Sequence, residues 1–244
     1  MAEKMRTEIA SMLQGIERYN PDNLQKLERY VEMQAQENIY DLEANLSVLR
    51  LYQFGPNFYR SNIVNLILLK AMTNLPHTDF LLCKCLLTQD RLEEPQVSRV
   101  MVLADLLETC KFKQFWEELA KCGDLIITVQ GFEDAIRKFV VHVVNITYQT
   151  IEVPVLKELL GNVNGMGINS LATFILISYV QENFIKNFYM TIDQVLKQWV
   201  GKCSWKDLGN GRVFITSQED LVKTKNITEK IEFENVAGIM AHCI

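Results

Sequence analysis

The sequence predicts a mostly α-helical protein: stacked helices followed by a compact module of three helices and a two-stranded ribbon. Two observations predict it. From the N-terminus to about residue 125, apolar residues recur at helical spacing in segments separated by short Pro or Gly breaks. Between Ile192 and Ser217 the period changes. Asp193 to Val200 reads as a short amphipathic helix with Val195, Leu196 and Trp199 on one side, and Gly201 can close it. Cys203-Ser204-Trp205 and Val213-Phe214-Ile215-Thr216 then flank a polar turn at Gly209-Asn210-Gly211, a hairpin signal. A helix running straight into a hairpin is the back half of a winged helix, a module that presents surfaces to partners and carries no chemistry of its own.

Taken in order, Met5, Ile9, Met12, Leu13 and Ile16 form a first apolar stripe. Asn20 can cap the next helix, and Pro21 suits a first helical position. Leu24, Leu27, Val31 and Ala35 give the second helix; Leu42, Leu46 and Leu49, with Val48 and Tyr52, give the third. Gly55-Pro56 breaks it. From Phe58 to Leu75 apolar residues cover nearly the whole circumference, so this helix should be buried on most sides. Pro76 ends it, and Thr78 or Asp79 caps a fifth helix reaching Leu87. Pro95 opens a sixth, with Val97, Val100, Met101, Ala104 and Leu107 in phase; Phe112, Phe115, Trp116 and Leu119 make a seventh. The similar intervals, without a strict residue repeat, are those of antiparallel helix pairs that bury each stripe against the next.

Gly123 to Thr128 reads as a boundary, dividing the chain into a helical-repeat domain at 1–125 and a winged-helix domain at 126–244. Phe132, Ile136, Phe139, Val140 and Val143 make the first helix of the second domain. Val155, Leu156, Leu159 and Leu160 make a shorter one closed by Gly161, with Pro154 shifting its first turn later. Between Asn162 and Thr191 lies a stretch whose only charges are Glu182 and Lys186. A membrane span needs roughly 20 apolar residues, and this stretch is too short and too polar at its start. It reads as an extra packed helix or an insert, and as the chain's strongest aggregation candidate. In the tail, Ile227, Ile231 and Phe233 can lie against the module.

Composition narrows the function. The 244 residues are 48% apolar and 23% charged, ordinary for a chain with a proper core, and the net charge is −5. An acidic chain is a poor match to a protein whose main task is gripping nucleic acid through a broad basic face. Met1-Ala2-Glu3-Lys4 shows no signal-peptide pattern. The six cysteines, at 83, 85, 110, 122, 203 and 243, lack framework spacing and read as reduced thiols of a cytosolic or nuclear protein.

Several segments go beyond class. Arg18-Tyr19-Asn20-Pro21, Leu27-Glu28-Arg29-Tyr30-Val31, Tyr40-Asp41-Leu42-Glu43-Ala44-Asn45-Leu46 and Thr73-Asn74-Leu75-Pro76-His77-Thr78-Asp79-Phe80 resemble the K subunit family of eukaryotic translation initiation factor 3. So do Leu51-Tyr52-Gln53-Phe54, Leu82-Cys83-Lys84-Cys85, Asp105-Leu106-Leu107-Glu108-Thr109-Cys110, Gly131-Phe132-Glu133-Asp134, Lys225-Asn226-Ile227 and Glu229-Lys230-Ile231. The resemblance implies a HEAT-like domain followed by a winged helix, related to PCI domains. It further implies a non-catalytic, cytoplasmic subunit of the initiation factor 3 complex that binds the small ribosomal subunit, with the L subunit as nearest partner through the winged-helix end. The departure from the family is the insert at about 162–191, where a connection of roughly 4–6 residues is usual.

Lys197, Lys202, Lys206 and Arg212 cluster on the last helix and wing. They are the candidate contacts to ribosomal RNA phosphates, against the plainer reading of a solvated face, because Asp193 and Asp207 lie among them. Trp205 and Phe214 are the candidate subunit contacts; Trp199, Trp205 and Phe214 read first as module core, with Trp205, beside the turn, partly exposed. Cys83 and Cys85 point to different sides of a helix and cannot share a metal. His142, on the strip of Phe139 and Ile146, reads as a packed histidine, His77 as part of the Pro76 break, and Asp105 with Glu108 as a solvated pair. No phosphate loop, metal cluster or catalytic constellation appears, so no enzyme and no cofactor is expected. The competing reading is a stand-alone winged-helix protein that binds RNA or DNA.

Overall fold

The structure, a computed structural model, describes residues 2–161, 200–203 and 205–217. The stretch at 162–191, Lys197, Trp199 and the tail beyond Ser217 lie outside the described residues.

Helix α1 (Ala2–Met12) buries Ile9, and Leu13 just after it. Gly15, at φ 62°, turns the chain there, so the stripe ends at Leu13 and Ile16 is 88% exposed. Asn20 caps as expected, its side chain accepting from the Asp22 N–H at 3.0 Å, with Pro21 opening a short 3-10 turn. Helices α2 (Leu24–Gln36) and α3 (Leu42–Phe54) follow, α3 capped by the Asp41 carboxylate on the Ala44 N–H. In α4 (Ser61–Met72) residues 63–65 and 67–72 are all buried, as an apolar circumference requires. Helix α5 (Asp79–Cys85) ends two residues before Leu87. A single-turn helix, α6 (Gln89–Leu92), precedes α7 (Pro95–Glu108), α8 (Phe112–Lys121) and the short α9 (Gly123–Ile126). Helix α4 packs against α2, α5 and α7, and α7 against α8, so each stripe is covered by its neighbours.

The second part begins with α10 (Phe132–Thr147), which reaches back to α4. It is followed by β1 (Thr150–Glu152), α11 (Val153–Leu159), a helical end at 200–202, β2 (Lys206–Asp207) and β3 (Arg212–Phe214). The strands form one antiparallel sheet in the order β1-β3-β2, with Ile151 opposite Val213 and Lys206 opposite Phe214. Helix, strand, helix, helical end and ribbon is the winged-helix order. Three details differ from the sequence reading. Strand β1 turns a two-stranded ribbon into a three-stranded sheet. Pro154 does not delay α11; it sits within the first turn, where an N–H has no partner to lose. His142 is exposed, because the buried strip of α10 runs through Ile136, Phe139, Val140 and Val144, and Ile146 has left it at 59% exposure. One continuous apolar core joins both parts, from Ile9 to Ile215.

Candidate interaction surface

The sheet has two faces, and register assigns each residue to one of them. Residues directly opposite in an antiparallel pair point the same way, and successive residues alternate. Ile151 and Val213 point inward and are buried, as are Trp205 and Ile215 on the same alternation. Thr150, Phe214 and Lys206 therefore form one outward row across β1, β3 and β2, and Glu152 with Arg212 forms the next. Phe214 is half-buried between its strand neighbours and is the aromatic residue of this row.

The wing's turn follows from its glycines. Gly209 and Gly211 take φ 73° and 77°, where other residues are strained. The Asp207 carboxylate accepts from the Gly209 N–H at 2.9 Å, and the Leu208 N–H donates to the Arg212 carbonyl. Leu208 stands at the tip, 50% exposed.

Trp205 corrects the expectation of a partly exposed ring. It is 5% exposed, and its indole N–H donates to Asn145 Oδ1 of α10 at 2.9 Å. A buried indole needs such a partner, and this one ties the start of β2 to the module's first helix. Trp205 therefore supports the outer face from behind while Phe214 lies on it.

Among the candidate phosphate contacts, Lys202, Lys206 and Arg212 are exposed. Arg212 is paired with Glu152 at 3.2 Å, both side chains more than half exposed. Glu152 comes from β1, the strand the sequence reading missed, whose signal was the polar-apolar alternation of Thr150-Ile151-Glu152.

The remaining candidates are dispersed. Cys83 is buried and Cys85 exposed; burial, with Asp79 nearby, pushes the Cys83 thiol up to about 12, which makes it inert. His77, Asp105 and Glu108 are exposed. Among the described residues no group of His, Cys, Asp or Glu is placed to hold a metal, and no helix is long and apolar enough to cross a membrane. An open cleft of about 330 Å³ lies between Pro21–Glu28 and Asn57–Arg60. Its buried carboxylate, Glu28, accepts from the Tyr52 hydroxyl at 2.7 Å and pairs with Arg60 at 3.2 Å, so it is a structural anchor.

Stacked helices closed by a winged helix, with an outward sheet face left uncovered among the described residues, define a PCI-like helical protein. The chain belongs to the CSN8/PSMD8/EIF3K family, whose model matches residues 59–226. It is 48% identical over 241 residues to eukaryotic translation initiation factor 3 subunit K of Mus musculus, covering 99% of this chain and 98% of that one. The same subunit of Homo sapiens is 47% identical over 241 residues, covering 99% and 98%. That of Anopheles gambiae is 48% identical over 236 residues, covering 97% and 94%.

Proposed function

We propose that this protein is a non-catalytic, cytoplasmic scaffold subunit of eukaryotic translation initiation factor 3, which helps to hold that complex on the small ribosomal subunit. Its domains are a helical arm at 1–125 and a winged helix at 126–244. The observation that carries the reading is the near full-length likeness to subunit K proteins; the buried carboxylate of the cleft, Glu28, is held by Tyr52 and Arg60 in structural contacts. Its work is done by its outer surface. The outward row of Thr150, Phe214 and Lys206 is the contact for a neighbouring subunit, with the L subunit as the partner, and Trp205 stiffens that row from behind. A half-buried aromatic in the middle of a short polar row is the usual anatomy of an interface anchor. Lys197, Lys202, Lys206 and Arg212 add a secondary contact to ribosomal RNA, for which Arg212 has to exchange its pairing with Glu152 for a phosphate.

The test is affinity purification of the tagged full chain from cell extract, with mass spectrometry. Subunits of initiation factor 3 should co-purify with the unaltered chain, and Phe214→Asp should lose the L subunit while keeping its fold. Recovery of the unaltered chain as a free monomer would overturn the reading. Binding to RNA alone, abolished by Lys206→Glu with Arg212→Glu, would replace it with a nucleic-acid-binding one.

A further inference from the structure

We propose that the winged helix is clamped to the helical stack at two separate points, and that these clamps fix the angle at which its sheet faces a partner. The first point is the start of α10. Asn38 lies in the turn between α2 and α3 with φ 52°, the left-handed region that Asn tolerates better than most residues. Its Oδ1 accepts from Lys70 Nζ at 3.3 Å, and Lys70, on α4, is only 1% exposed. Its amide nitrogen lies against Gly131, the residue that opens α10: a Cβ on Gly131 would stand 2.7 Å from it. Next to it, the Gln130 N–H donates to the Ala35 carbonyl of α2 at 2.9 Å. The α2–α3 turn, α4 and α10 thus meet at one side chain.

The second point is the end of α11. The last carbonyls of a helix have no partner within it. Here two side chains from two other helices take them: Trp116 of α8 donates Nε1–H to the Leu159 carbonyl at 2.9 Å, and Arg137 of α10 donates Nε–H to the Leu160 carbonyl at 3.2 Å. The Arg137 guanidinium also lies 5.1 Å from the Trp116 ring centroid. Gly161, at φ 83°, sits against the indole so closely that a Cβ would stand 2.7 Å from the ring. The two points share no residue. Together with the apolar core that joins the two parts, they hold α10 and α11 against the stack at two separate places. Asn38 and Trp116 are therefore positioning residues, acting on the sheet through α10 and α11.

The test is hydrogen exchange on the full chain. Asn38→Gly keeps the left-handed backbone and removes the side chain; it should make exchange about tenfold faster in the first turn of α10 and leave α7 unchanged. Trp116→Leu should do the same in α11 and the sheet and leave α2 and α3 unchanged, with Trp116→Phe between it and the natural chain. Adding Lys70→Met to Asn38→Gly removes the buried amine that the first change leaves unpaired. Melting temperature should then recover while α10 stays fast, whereas a merely structural role would restore both. Unaltered exchange, or acceleration spread evenly over all helices, would overturn the proposal.

Discussion

Replacing Lys70 with methionine should stabilise the protein, and the gain should vanish in alkali. Lys70 sits in the last turn of α4, only 1% exposed, and its amine donates to Asn38 Oδ1. Burial pushes its amine down from 10.5 to about 8. At about 1.4 kcal/mol per pKa unit, keeping that amine charged costs the folded state on the order of 3 kcal/mol at pH 7. Losing the hydrogen bond to Asn38 returns about 1 kcal/mol of that. Methionine matches lysine's unbranched shape, so the net expectation is a gain of about 2 kcal/mol at pH 7. The sign with pH is fixed by which state holds the proton. Between pH 8 and 10.5 the unfolded chain keeps the Lys70 proton and the folded chain releases it, so this group's contribution to stability rises with pH. The variant's advantage should therefore shrink over that window. Burial also pushes Cys83, Tyr30 and Tyr59 up to about 12, which lowers stability at high pH, but it does so in both proteins alike. Urea melts of both proteins at pH 7, 8.5 and 10 read the difference. A variant less stable at pH 7, or a difference that does not change with pH, would refute the reasoning.

Cys110 holds φ 56° after α7, where the Lys111 N–H reaches the Leu106 carbonyl and the Cys110 N–H reaches that of Leu107; this is the helix ending that favours glycine, so Cys110→Gly should raise stability by about 0.5–1 kcal/mol in thermal melts. Tyr52→Phe removes the hydroxyl from buried Glu28 and should cost about 1–3 kcal/mol in urea melts, since the carboxylate keeps only Arg60. Arg212→Ala breaks an exposed pair with Glu152 and should change stability by less than about 1 kcal/mol; a larger loss would mean that the pair organises the sheet.

Helix α4 was legible because an apolar circumference has one physical outcome, and the wing because Gly209 and Gly211 punctuate it. Asn20 was legible as a cap for the same local reason. Strand β1 was not, because three residues between two helices carry too little periodicity; only its pairing with β3 makes it a strand. That one omission hid Thr150 and Glu152 of the outward face, and Glu152 is the partner of Arg212. The buried indole of Trp205 is partnered by Asn145, sixty residues away, and the buried amine of Lys70 by Asn38, 32 residues away. Contacts of that kind join distant stretches and leave no local trace. Ile16 misled because helical spacing continued past Gly15, where the backbone did not.

The most direct measurement is the composition of what the tagged full chain brings down from cell extract. Subunits of initiation factor 3 in near-equal amounts, with the L subunit missing from the Phe214→Asp sample alone, is the predicted result. A chain recovered by itself, or one that holds every subunit after the outward row of the sheet is altered, would contradict the claim that this protein works through that face.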